Sequence, residues 1–425
     1  MTIRSAAVEF TKSGTPAEPA QVEAVLNLVR QHHPTDVLLL SHGWNNDMDA
    51  ARRLYRALMN GLEGQLPPGA ADRLVVVELF WPSIRWADAD QIAGGGVSVG
   101  DEAGQLLEAI DEGVDDADLA AQLKGLTTDL ASADARREFV TAARALLPTE
   151  ALSPDGDDVP SVLLAGDAEE VFTAVSDAVV GFDDLELPDA GGGGAPGVPP
   201  DLLGEGDTAG TGLFGRSWSS LARQVLNTFT YYTMKGRAGD VGTRGVAPLL
   251  ERIHGEFPDV RLHLAGHSFG ARVVSAAATS TSAPVASLTL LQGAFSHYGF
   301  TRNFAGSGKD GAFVTAVSGG HVAGPLVITH THNDRAVGLA YAIASRLARQ
   351  TGAAVGDAGD LYGGIGANGA VGAAATAVRM QAATGSYSLQ DRTITNVLAD
   401  DYVTGHSDVT NPAVINLLAQ AVRLR

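Results

Sequence analysis

The chain has no cysteine in 425 residues, which excludes disulfide cross-links, thiolate metal sites and a cysteine nucleophile. It also lacks any apolar run near the roughly eighteen residues that cross a membrane, and no apolar core follows a basic start between Met1 and Phe10. A cytoplasmic protein with no stable membrane insertion is therefore expected. Basic residues are scarce: 29 Lys and Arg stand against 49 Asp and Glu, leaving a net charge of −20. The imbalance is local, because the stretch from Asp101 to Ala190 holds 23 acidic residues and four basic ones. Such a surface repels phosphate backbones and anionic lipid heads, which argues against nucleic-acid partners. Its ordinary role is a solvated face.

What is present is an α/β alternation. Residues 3–10 read as a first strand, and Pro19 opens a helix through Val22, Val25, Leu26 and Val29 that Pro34 stops. The continuous apolar runs Val37 to Leu40, Leu74 to Phe80, Ala286 to Leu291, Pro325 to Thr329 and Ile394 to Leu398 suit strands buried on both faces of a mostly parallel sheet. Helices are expected from Asp47 or Met48 to Leu62, from Gly245 to Glu256, after Arg335 through Leu347, and from Asn411 to Leu424.

Between residues 87 and 217 the character changes. No buried strand is legible, and helical spacing shows at Leu106, Leu107, Ile110, Val114 and again at Val171, Phe172, Val175, Val179. Residues 189–215, with Gly191 to Gly194, are rich in glycine and proline and read as flexible. The domain expectation is a core of residues 1–86 and 218–425 carrying an acidic, mainly helical insertion at 87–217. That insertion reads as a lid over a site or as a partner-binding module.

The most informative stretch is Arg261 to Val274. A short apolar strand runs into Gly266-His267-Ser268-Phe269-Gly270, and a helix of small residues follows. A serine in so cramped a turn needs neighbours without β-carbons, which Gly266 and Gly270 supply. The helix N-terminus beneath it favours an oxyanion. A second stretch, His42-Gly43-Trp44, ends the strand at Leu40 and offers a main-chain N–H unobstructed by a side chain.

The Gly-x-Ser-x-Gly turn and the His-Gly dipeptide resemble the nucleophile elbow and oxyanion loop of the α/β-hydrolase superfamily. The segment Tyr231 to Gly242 is similar to what precedes the elbow in poorly characterised bacterial serine esterases and lipases of that superfamily. Arg237 and Asp240 within it read as an ion pair with each other. The resemblance covers about residues 1–86 and 218–425. It implies an α/β-hydrolase fold and a triad in the order Ser268, Asp334, His406. The oxyanion-hole amides would be those of Trp44 and Phe269, with His42, Gly43, Gly266, His267 and Gly270 in support. No cofactor and no metal are called for. The substrate expected is a small, uncharged, apolar ester, with Trp44, Trp81, Phe269 and Phe295 at the mouth favouring an apolar acyl group; oligomeric state is left open.

Alternatives stand beside each role. Asp334 could cap the helix after it, and Asp360, Asp400, Asp401 and Asp408 compete as the acid, Asp360 foremost. His330-Thr331-His332-Asn333-Asp334 matches the opening of a zinc-binding H-x-H-x-D-H signature, but Arg335 stands where the third histidine belongs. A phospholipase, thioesterase or peptidase of the same fold, and a non-catalytic scaffold working through the acidic insertion, are the rival functions.

Overall fold

The computed structural model describes residues 3–44, 48–83, 102–147, 159–183, 217–334, 337 and 363–422. Eight strands form one sheet: β1 (Arg4–Glu9), β2 (Asp36–Ser41), β3 (Leu74–Phe80), β4 (Arg261–His267), β5 (Val285–Leu291), β6 (Leu326–His330), β7 (Ala375–Arg379) and β8 (Ile394–Leu398). Their order is β1-β3-β2-β4-β5-β6-β8-β7, and every pairing is parallel. Both faces are covered. Helices Pro19–His32, Ala247–Glu256 and Phe269–Ser280 pack one apolar layer against Val37, Leu39, Leu264 and Leu290. Helices Met48–Gln65 and Pro412–Val422 pack the other against Leu38, Leu40, Ala265 and Val327. This explains why β2 shows no alternation and is buried at all six positions.

The strand order fixes where a site can form. From β2 the chain moves outward to β3, whereas from β4 it moves the other way to β5 and β6. The order of connection thus reverses between β2 and β4, and the carboxyl edge at such a reversal is the usual ligand position in an open parallel sheet. Because all strands run the same way, residues just beyond β2, β4, β6 and β8 share that edge. His42, Ser268, Asp334 and His406 follow those four strands.

Five helices, Glu102–Gly113, Ala117–Leu126, Ala133–Ala143, Ser161–Ala165 and Ala168–Asp183, make a second apolar core with the long helix Trp218–Asp240. Leu106, Ile110, Val171, Phe172 and Val175 meet Leu221, Val225, Leu226, Phe229 and Tyr232 there. Leu107, expected on the apolar face, is exposed instead. Further along the long helix, Met234 and Ala238 belong to the core of the sheet. The expected helix start at Gly245 is in fact a wide turn, Val241–Val246, continuous with helices on both sides. A β-carbon on Gly242 would stand 2.3 Å from the Val273 carbonyl oxygen, so glycine is what lets this turn lie against the helix after β4.

Arg237 and Asp240 do not pair with each other. Arg237 reaches across to Asp115 at 2.6 Å and to the Pro82 carbonyl at 2.9 Å, and Asp240 faces Arg244. The guanidinium is buried where the second core meets the sheet, so it takes the acceptors available there. The side chain of Val179, the Gly191 to Gly194 run, the helix expected after Arg335 and Asp360 lie outside the described residues. No helix among the described residues is long and apolar enough to cross a membrane.

Candidate active site

Ser268 has φ 57° and ψ −124°, a left-handed conformation costly for any residue with a β-carbon. Packing enforces it. A β-carbon on Gly266 would lie 2.2 Å from the Gly270 carbonyl oxygen, and one on Gly270 would lie 2.2 Å from that of Ser41. Strand, turn and helix thus close on one another only through glycine. The main chain is held as well: Ser268 N–H donates to Leu291 O at 3.1 Å, and Ser268 O accepts from Ala271 and Ala294, both at 3.1 Å. Its side-chain hydroxyl makes no hydrogen bond among the described residues.

The loop after β2 is pressed against this turn. A β-carbon on Gly43 would come within 2.6 Å of Ser268 Cβ. His42 locks the loop from behind: its N–H donates to Tyr55 Oη at 2.8 Å, and its carbonyl accepts from Trp81 Nε1 at 3.0 Å. Trp81 N–H donates to His42 Nε2 at 3.3 Å, so the ring proton sits on Nδ1, which donates to Gly43 O at 2.9 Å. Burial pushes His42 down to about 4, the bond to Gly43 O opposing only in part, and the ring stays neutral. With a trans peptide, fixing the Gly43 carbonyl against the ring turns the Trp44 N–H to the opposite side. The Phe269 N–H opens the helix Phe269–Ser280, where N–H groups have no acceptor within the helix.

Asp334 is buried, and its two oxygens do different work. Oδ2 accepts from His406 Nδ1 at 2.8 Å, and Oδ1 accepts from the Val337 N–H at 3.0 Å. One carboxylate thus holds both the histidine and the N–H three residues on. Burial alone would lower His406, but the charge of Asp334 and its hydrogen bond outweigh that and raise it above the ordinary histidine value. The bond at Nδ1 leaves Nε2 of His406 as the basic nitrogen.

Of the other candidate acids, those among the described residues are engaged elsewhere. Asp400 pairs with His332 at 2.8 Å, Asp401 with Arg379 at 3.6 Å, and Asp408 takes Thr404 N–H at 3.0 Å. The zinc-like motif also disperses: His330 faces Ala367 O, His332 faces Asp400 and Asp334 faces His406. Among the described residues no group of three metal-ligating side chains converges.

His267 joins these parts. Its Nε2 lies 2.9 Å from the His406 carbonyl oxygen, and its ring centroid is 4.8 Å from that of His406. The sequence placed it among the supporting residues, with no signal of its contact to His406.

Three of the four aromatics expected at the mouth are sealed. Trp81 stacks on His42, Phe269 is 1% exposed, and Phe295 packs on Phe300 and Phe313 in the core. Trp44 is half-buried and keeps company with Phe269 at 5.7 Å and with the half-buried Tyr231 at 6.2 Å. Tyr231 comes from the long helix Trp218–Asp240. Comparison with family models, curated proteins and solved structures returns no match.

Proposed function

We propose that the chain is a serine hydrolase on an α/β-hydrolase frame, cleaving carboxylic esters through an acyl-enzyme on Ser268. The observation that carries this reading is the 2.8 Å bond between His406 and buried Asp334 on the same sheet edge as a serine held in the left-handed region. His406 Nε2 takes the Ser268 proton while Oγ bonds to the ester carbon, and the carbonyl oxygen becomes an oxyanion facing the Trp44 and Phe269 N–H groups. Collapse breaks the bond to the leaving alcohol, which receives the proton from His406. Water then attacks the acyl-enzyme by the same route, restoring the serine. The Ser268 hydroxyl meets His406 when substrate is seated, since such bonds commonly tighten only in the complex.

An uncharged acyl group of short to medium length fits the half-buried pair Trp44 and Tyr231, and the acidic insertion disfavours anionic substrates. A fluorophosphonate probe tests the reading. Labelling should be lost in Ser268→Ala and kept in Ser217→Ala; folded wild-type protein that takes no label would leave the scaffold reading in its place.

A further inference from the structure

His406 is reached from the sheet at two points only among the described residues. Its ring is held by Asp334, and its main-chain carbonyl by His267. The rest of its loop is stapled to itself: Asp408 takes Thr404 N–H and Oγ1 at 3.0 and 3.1 Å, and Asn411 Nδ2 donates to Asp408 O at 3.0 Å. Asn333 Nδ2 ties down the start of the loop, donating to Val403 O at 2.8 Å, three residues before the histidine.

We propose, on the reading of Ser268 and His406 as nucleophile and base, that His267 is a positioning residue whose Nε2–H sets where that base stands relative to the serine. The serine is the next residue along the chain, so one short, rigid element carries both the hydroxyl and the group that pins the base. A carbonyl only accepts, so the bond to His406 O assigns the proton to Nε2 and leaves Nδ1 as a bare acceptor. Nδ1 is buried and has no partner among the described residues, and a β-carbon on Gly43 would stand 3.2 Å from it. A residue chosen for filling space would not carry a buried, unmet acceptor. The Nε2–H bond is what histidine supplies here and leucine would not.

Neutrality is part of the arrangement. During attack His406 becomes an imidazolium whose ring centroid is 4.8 Å away, and a charged His267 would oppose it. The groups facing His267 are His406, Asp334 and His42; burial first, then the repulsion of His406, push His267 down to about 3.

The test uses the full chain with histidine labelled at Cε1, following the titration of the His406 resonance, assigned by its loss in His406→Gln. His267→Gln places an amide N–H near the Nε2 position, His267→Leu removes the donor, and His267→Asn keeps an amide too short to reach. In wild type the His406 midpoint should lie above 6.5. It should fall toward that value in the Leu and Asn variants and hold in the Gln variant. In parallel, kcat on p-nitrophenyl esters should fall about 10- to 100-fold in Leu and Asn with KM within threefold, and the Gln variant should recover most of it. Should the Leu variant not fold, the Gln and Asn pair decides alone. An unchanged His406 titration and kcat in Asn, or a Gln variant as impaired as Asn, overturns the proposal. If wild type takes no probe and cleaves no ester, the functional reading fails, while the titration still reports the anchor.

Discussion

His42 donates its Nδ1 proton to the carbonyl oxygen of the residue that follows it, Gly43, at 2.9 Å. The bond fixes one peptide plane, and the N–H on the far side of that plane is the one assigned to the oxyanion. Replacing His42 by Ala frees the plane. The expected loss is about 10² in kcat with little change in KM, of the order found when an oxyanion donor is removed. His42→Asn, whose side-chain N–H falls near the Nδ1 position, should restore part of it. Steady-state rates on p-nitrophenyl acetate check this, and equal losses in both variants would count against the peptide-plane account.

Asp334→Asn keeps the volume but presents the wrong partner to His406 Nδ1. A fall in kcat of about 10⁴ is expected. Activity needs His406 neutral, so with its value raised by Asp334 the acid limb of the rate profile should lie above pH 6.5. In the Asn variant the residual activity should show that limb moved downward. Asn retains an oxygen for the Val337 N–H, so its thermal midpoint should sit closer to wild type than that of Asp334→Ala.

Stability should depend on acid in a specific window. His42 and His267 stay neutral in the fold down to about 4 and 3, whereas in the unfolded chain they protonate near 6.5. As pH falls below 6.5 the unfolded state binds protons that the fold refuses, so stability drops. By pH 4.5 the loss is about 2.5 kcal/mol for each as an upper bound. The His406 pair works in the other direction: its contribution is fully present below 6.5 and is lost as pH rises through its raised value, so it adds no slope in the acid window. Urea unfolding at pH 6.5 and 4.5 measures the drop. His42→Asn should flatten it, and an unaltered slope would mean that the ring is not held neutral.

How much of this was legible in the sequence depends on how local each requirement is. The elbow was legible because the conflict that Gly266 resolves, with the Gly270 carbonyl, lies within five residues, whereas the one that Gly270 resolves, with Ser41, comes from a distant strand. The six strands read from apolar runs lie inside the sheet under helices, which leaves a nearly unbroken pattern, while β1, at one edge, is half-exposed or exposed at every position but Val8. The edge strand β7 has no such pattern: Ala375 to Arg379 is half-exposed or exposed throughout and pairs with β8 alone. Arg237 was paired with Asp240 because the two are neighbours in sequence, while its partner Asp115 is set by the insertion folding back on the sheet. Phe295 looked available because it follows a strand, yet its side chain is fully buried against Phe313. The bonds of His42 and His267 join segments up to 139 residues apart, and nothing in their neighbourhood signals them.

Trp44 and Tyr231 touch both apolar cores, the one under the sheet and the one of the insertion, and are half-buried where the two meet. If the acyl chain lies along this pair, each methylene seated there contributes about 0.8 kcal/mol, close to fourfold in kcat/KM. A series from p-nitrophenyl acetate to hexanoate should therefore rise by up to about fourfold per methylene in wild type. Trp44→Ala keeps the main-chain N–H but removes the apolar wall. Acetate turnover should stay within a few-fold, while the gain per methylene falls below about twofold. Tyr231→Ala should act in the same direction without touching the oxyanion loop, which separates a lost wall from a disturbed amide. If both variants keep the wild-type slope, the acyl chain runs elsewhere and the insertion takes no part in choosing it.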